Sequence, residues 1–175
     1  KNTLSINGNV KGKWFMEGLV YFQQVNNYIY LNPQDEIRLT IRGAFPVFKY
    51  EQTNARLIGF DLASTYQFTE RFNIMAKYSF LKGQDQSNDL PLIYMPSNNL
   101  SAEANYQIPK LGKFQKNAFS VNGKYVFKQN NLLASQDFVA APDAYFLLDL
   151  KFSTEIQLKK LRLKLHLRGE NVLNT

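Results

Sequence analysis

From Leu161 to Arg168 the chain alternates strictly, with Leu161, Leu163, Leu165 and Leu167 set against Arg162, Lys164, His166 and Arg168. A period of two puts every leucine on one side of an extended strand, whereas a helix would scatter them around its circumference. The same period recurs upstream. Leu4, Ile6, Gly8 and Val10 oppose Thr3, Ser5, Asn7 and Asn9, and Trp14, Met16, Gly18, Val20 and Phe22 oppose Phe15, Glu17, Leu19, Tyr21 and Gln23. Further runs follow at Ile58 to Phe68, Phe72 to Phe80, Leu100 to Ile108, Phe119 to Phe127 and Phe146 to Ile156. The pattern predicts about eight strands and an all-β protein.

The connections sort by length. Residues 11–13, 69–71, 109–113 and 158–160 read as tight polar turns, and 32–45, 83–98 and 128–143 as long loops rich in Pro, Gly, Asn and Asp. Only a short strand at Ile37 to Ile41 is expected inside the first long loop. Short and long connections alternate along the chain, so they fall on opposite ends of the sheet. The strands are long enough for the roughly 9–11 tilted residues that cross a bilayer. Tyr66 with Phe68, Tyr78 with Phe80, and Tyr125 with Phe127 fall near strand ends, where a membrane barrel carries its aromatic girdles. The reading is an antiparallel up-and-down transmembrane β-barrel, its apolar face toward lipid and its polar face toward the lumen. That polar face carries Asp61, Lys77, Glu103, Lys124, Asp149, Lys151, Arg162, Lys164, His166 and Arg168.

Composition narrows this less than the pattern does. The 175 residues include ten Tyr and fourteen Phe at a mean hydropathy of -0.34, and no run approaches the length of a transmembrane helix. A large soluble β-sandwich has the same bulk composition. With no cysteine, disulfides and thiolate metal sites are excluded. The net charge of +7 permits contact with nucleic acid or anionic lipid. The aromatics lie on the face opposite the charges, which argues against a nucleic-acid surface.

Candidate chemistry is sparse. His166, the single histidine, stands between Lys164 and Arg168, a poor setting for a metal ligand. Asp61, Glu103, Asp149 and Glu155 form an acid–base pair only if strand pairing brings two of them together. The acidic stretch from Asp85 to Asp89 lacks the ligand spacing and glycine of an EF-hand loop. No enzyme, cofactor or metal site is expected.

The ending Glu170-Asn171-Val172-Leu173-Asn174-Thr175 resembles the close of the penultimate strand in TonB-dependent outer-membrane receptors. Three other stretches agree in order. They are Val25-Asn26-Asn27-Tyr28-Ile29, the segment from Gly43 to Phe60 with Asn54, Ala55 and Gly59 in the family's pattern, and Pro142 to Leu150. The resemblance implies a bacterial outer-membrane location and an oligosaccharide, iron-siderophore or other metal complex as transported ligand. It also implies outer-membrane lipid, a plug domain, the remaining barrel strands and the TonB complex as partners, with room for a surface lipoprotein. No plug or TonB box is present, and the family barrel has roughly 22 strands. The expectation is therefore that residues 1–175 form a C-terminal portion of such a barrel, without its closing strand. Its long loops would face outside, with ligand contacts at Gln34, Asp35, Arg38, Arg42, Gln84, Asp85, Gln129, Asn130 and Gln136. Two alternatives stay open: a complete eight-stranded barrel with a structural or adhesion role, and a soluble β-sandwich binding module.

Overall fold

The computed structural model describes residues 1–130, 140–159 and 161–174. Nine strands and no helix occur among them: β1 (Asn2–Val10), β2 (Trp14–Thr40), β3 (Gly43–Thr69), β4 (Phe72–Asp85), β5 (Leu90–Pro91), β6 (Asn99–Ile108), β7 (Phe114–Val126), β8 (Tyr145–Leu158) and β9 (Leu161–Gly169). They form one antiparallel sheet in the order β1-β2-β3-β4-β6-β7-β8-β9, with β5 paired to β4. Each long strand lies beside its neighbour in sequence, the up-and-down order expected of hairpins joined end to end.

The registers carry the alternation across the whole sheet. One row runs Ile6, Gly18, Leu62, Tyr78, Leu100, Tyr125, Phe146, all apolar. The neighbouring row on the opposite face runs Asn7, Glu17, Ala63, Lys77, Ser101, Lys124. A slip of one residue in any strand would exchange the two faces, so the shared polarity pins the register. Rings gather at both ends of the apolar band. Tyr66, Phe68 and Phe72 pack at 4.7 and 5.4 Å near the short turns, and Tyr78, Tyr125 and Phe127 at 4.9 and 6.2 Å nearer the loops.

No second layer covers the apolar face among the described residues. Among the described residues only Ala55, Leu92, Ile93 and Val126 are buried hydrophobics, while Leu62 is 49% and Leu167 69% exposed. A β-sandwich would bury that face against a second sheet, so the soluble sandwich is ruled out. The complete eight-stranded barrel fails as well. It needs β1 to pair with β9, and among the described residues β1 pairs with β2 and β9 with β8, leaving the sheet open at both edges.

The first long connection is a correction. Residues 32–45, expected to form a loop with a short strand inside, continue β2 and β3 as a ribbon that turns at Ile41 and Arg42, where Thr40 pairs with Gly43. Pro33 and Pro46 suggest a break because proline cannot donate to a ladder. The ribbon rises past β1 and β4 and has two free edges, where a missing donor costs little. The second connection also shortens, because Leu90 and Pro91 pair back onto Asp85 and Gln84. Most of the third loop and Lys160 of the last turn lie outside the described residues.

Candidate functional site at the loop end of the sheet

The outward row Gln24, Arg56, Gln84 ends the apolar band toward the loops. Beyond it, a β-bulge between Val25 and Tyr28, with Asn27 at φ 56°, shifts the register of β2 against β3. The extra residue keeps Tyr28, Tyr30 and Asn32 on the inward face, opposite Thr53, Glu51 and Lys49.

Glu51 holds this part of the ribbon together. Its Oε2 accepts bonds from the Tyr30 hydroxyl at 3.4 Å and from Asn32 Nδ2 at 3.0 Å, and its Oε1 accepts from Gln34 Nε2 at 3.3 Å. Burial, then the Glu51 and Asp85 charges and the bond to Glu51, push the Tyr30 phenol above its ordinary value. Tyr30 therefore serves as a hydrogen-bonding hydroxyl at any physiological pH.

Facing the ribbon is the segment after β4, and Asp85 ties it down. Asp85 Oδ1 accepts from the Thr53 hydroxyl and from the backbone amides of Ser87 at 2.8 Å and Asn88 at 3.2 Å. Its Oδ2 accepts from Asn88 Nδ2 at 2.8 Å. Burial alone would raise its pKa, but the Thr53, Asn88 and backbone bonds together outweigh that and hold the carboxyl below its usual range. A depressed carboxyl stabilises the turn above the unfolded pKa, and that contribution is lost as pH falls through the folded value. In the full-length receptor, the protection factors of the Ser87 and Asn88 amides, corrected for intrinsic exchange, are expected to fall once the pH drops below the ordinary carboxylate range. Protection that persists unchanged would contradict this role.

Past Pro91 the chain crosses the inward face as a strap. A Cβ on Gly83 would lie 2.7 Å from Met95 Sδ and 2.9 Å from Leu92 Cδ1, so the glycine lets both side chains of the strap seat against β4 without shifting. Gln129 anchors the far side, donating from Nε2 to the Met95 carbonyl at 2.6 Å. Ribbon and strap enclose a cleft of about 490 Å³ that opens on the loop end, with Tyr30, Asn32, Gln34 and Asp35 on one wall and Asn88 and Ile93 on the other.

Below the cleft the inward face is a field of paired charges. Lys151 lies 4.0 Å from Glu103, Lys164 4.0 Å from Glu155 and Arg168 3.9 Å from Asp149. Lys116 meets Glu155 at 3.2 Å, and Arg162 Nε donates to Gln157 at 3.4 Å. Pairs this open to solvent are screened and add little to stability. Asp61 and Lys77 line a second inward hollow with Glu17. Lys124 pairs across the ladder with Ser101, and His166 with Ser153. Glu103 and Asp149 are two strands apart with Asn122 between them, about 10 Å, too far for a shared proton. No three of His, Cys, Asp and Glu come together among the described residues.

The structure sorts the loop residues read from the sequence. Gln34 and Asp35 line the cleft, and Asp85 forms part of its lining with its oxygens engaged in the turn. Gln129 braces the strap, and Asn130 follows it just beyond β7. Gln84 sits on the outward face beside Arg56, away from the cleft. Arg38 and Arg42 lie toward the ribbon tip, where Arg38 pairs with Phe45 and the Arg42 amide bonds Thr40 Oγ1. Gln136 lies outside the described residues. Tyr30, Asn32 and Glu51 were missed, although the spacing of Tyr28, Tyr30 and Asn32 continues the period of two.

An open, two-faced antiparallel sheet of long strands, apolar outside and charged inside, is a section of transmembrane β-barrel wall. The chain belongs to the TonB dependent receptor-like β-barrel family, whose model matches residues 4–172. Among solved structures the fold is similar to the copper transporter OprC, with a TM-score of 0.76 and 16% identity over 98% of this chain. The chain spans 24% of that structure's length. No curated protein sequence matches. Members of this family lie in the bacterial outer membrane, which is where the uncovered apolar face finds its solvent.

Proposed function

We propose that this chain is the C-terminal part of the wall of an outer-membrane receptor that takes up a scarce ligand with energy delivered by TonB. The long connections face outside, the short turns face the periplasm, and the charged inward face packs against a plug domain and the remaining strands. The observation that carries this reading is the cleft between ribbon and strap. It is a built polar site at the mouth of the barrel, directly above the inward charges.

The donors on its walls indicate the kind of ligand. Its lining is made of amides, carboxylates, a phenol and aliphatic side chains, with no His, Cys or Met. Bare copper ions select imidazole and sulfur ligands. Amide and hydroxyl groups instead suit a ligand bound through many hydrogen bonds, as an oligosaccharide or an organic metal chelate is.

Deleting the receptor gene and growing cells under iron limitation, under copper limitation, or on single oligosaccharides as carbon source tests the reading. A growth defect is expected with a chelate or an oligosaccharide, and removal of TonB should reproduce it. A defect that appears only without the receptor and never without TonB would contradict energised uptake.

A further inference from the structure

The outward face carries two cations just beyond the aromatic belt. Arg56 stands between Gln24 and Gln84, and Lys82 pairs with Ile58 one row closer to the belt. They are diagonal neighbours on β3 and β4, about 7–8 Å apart at the backbone. Arg56 Nη2 donates to Gln84 Oε1 at 2.6 Å, and Gln84 Nε2 in turn donates to Asp89. Among the described residues neither cation has a carboxylate within ion-pair distance. Lys82 is exposed, at the height where apolar surface gives way to polar.

On the same face, farther down the same strands, lies an apolar groove of about 550 Å³. Small residues form its floor, Gly8, Gly18, Ser64 and Ala76, between the rings of Trp14 and Tyr78. Lys82 and Ala76 are six residues apart on β4, about 20 Å along the strand. At the usual barrel tilt this is a depth of about 15 Å, half the thickness of the hydrocarbon core. Cations and groove are thus separated by the length of one leaflet.

We propose that this face holds one phosphate-bearing lipid, with its phosphate on Arg56 and Lys82 and an acyl chain in the groove. The site is independent of the cleft and of the transported ligand. Charge and depth together select a lipid over a free anion, because inorganic phosphate gains nothing from the groove. Two neighbouring cations without a carboxylate partner give charge-assisted bonds to phosphate, with the Arg56 fork adding direction.

The test uses full-length receptor in phosphatidylcholine nanodiscs doped with diphosphoryl lipid A or with the same glycolipid lacking its phosphates. Native mass spectrometry then counts the lipid retained. Wild type is expected to prefer the phosphorylated form by about tenfold or more, and R56Q/K82Q to lose that preference. R56K/K82R should keep most of it, and A76L should lower retention of both lipids by blocking the groove. Equal retention of the two lipids by wild type, or an intact preference in R56Q/K82Q, overturns the proposal. Displacement of the lipid by millimolar inorganic phosphate would also overturn it, in favour of a simple anion site.

Discussion

Replacing Glu51 with alanine in the full-length receptor is expected to lower ligand uptake by about tenfold or more while the barrel still assembles. Three side chains, from Tyr30, Asn32 and Gln34, converge on that one carboxylate, and two of them share Oε2. Hydrogen bonds to a charged group contribute about 1.5–3 kcal/mol each, and removing the acceptor leaves several donors free to turn away from the cleft. The ribbon here stands above the rest of the sheet, so the backbone ladder from Tyr28 to Pro33 survives the change. Glu51→Gln keeps the shape and one carbonyl acceptor, so it should retain an intermediate rate. Uptake of the ligand identified by the growth screen, normalised to receptor in the outer membrane, makes the comparison. Wild-type uptake by Glu51→Ala would show that the ribbon wall of the cleft does not take part in binding.

Gly59→Leu is expected to reduce folded receptor severely, through packing alone. Gly59 pairs with Tyr21 on β2, and the ring of Tyr21 lies across the glycine. A Cβ there would sit 2.3 Å from Tyr21 Cζ and 2.7 Å from the Phe80 carbonyl oxygen. The ring can swing aside, but the carbonyl belongs to the β3–β4 ladder and cannot. Overpacking of this sort costs about 1–3 kcal/mol, and leucine stands at or above the upper end. Tyr21→Ala in the same chain removes one obstacle and leaves the other, so the pair should recover only partly. The heat-modifiable gel shift of assembled barrel in outer-membrane fractions reads this out. Normal assembly of Gly59→Leu would mean that the Tyr21 ring is not seated there.

These two positions also show where sequence reasoning reached and where it stopped. Strand order and face were legible because the period of two recurs through eight runs joined end to end, and one apolar-or-polar alternation dictates one register. Gly59 and Ala55 were legible only through a family pattern, and the structure supplies the physical reason: both are inward positions with no room, Ala55 being 1% exposed. Glu51 was not legible. Asn32-Pro33 and Pro46 carry the signals of a loop, and those signals are valid within a sheet. They fail on a ribbon with free edges, where proline is tolerated. The strap was equally hidden, because the contact of Leu92 and Met95 with Gly83 joins segments whose pairing no alternation announces. Gln84 and Asp85 illustrate the same limit from the other side. Adjacent in sequence and both polar, they look alike as ligand residues, yet the pleat turns one toward lipid and the other toward the cleft.

The central claim is that one face of this sheet meets hydrocarbon and the other a polar lumen. Single spin labels placed in turn from Leu100 to Ile108 of the full-length receptor, in its membrane, test this most directly. Collision with dissolved oxygen should peak at Leu100, Ala102 and Ala104, and collision with a water-soluble nickel chelate at Ser101, Glu103 and Asn105. Accessibility without that alternation, or with the two reagents exchanged, would contradict the account.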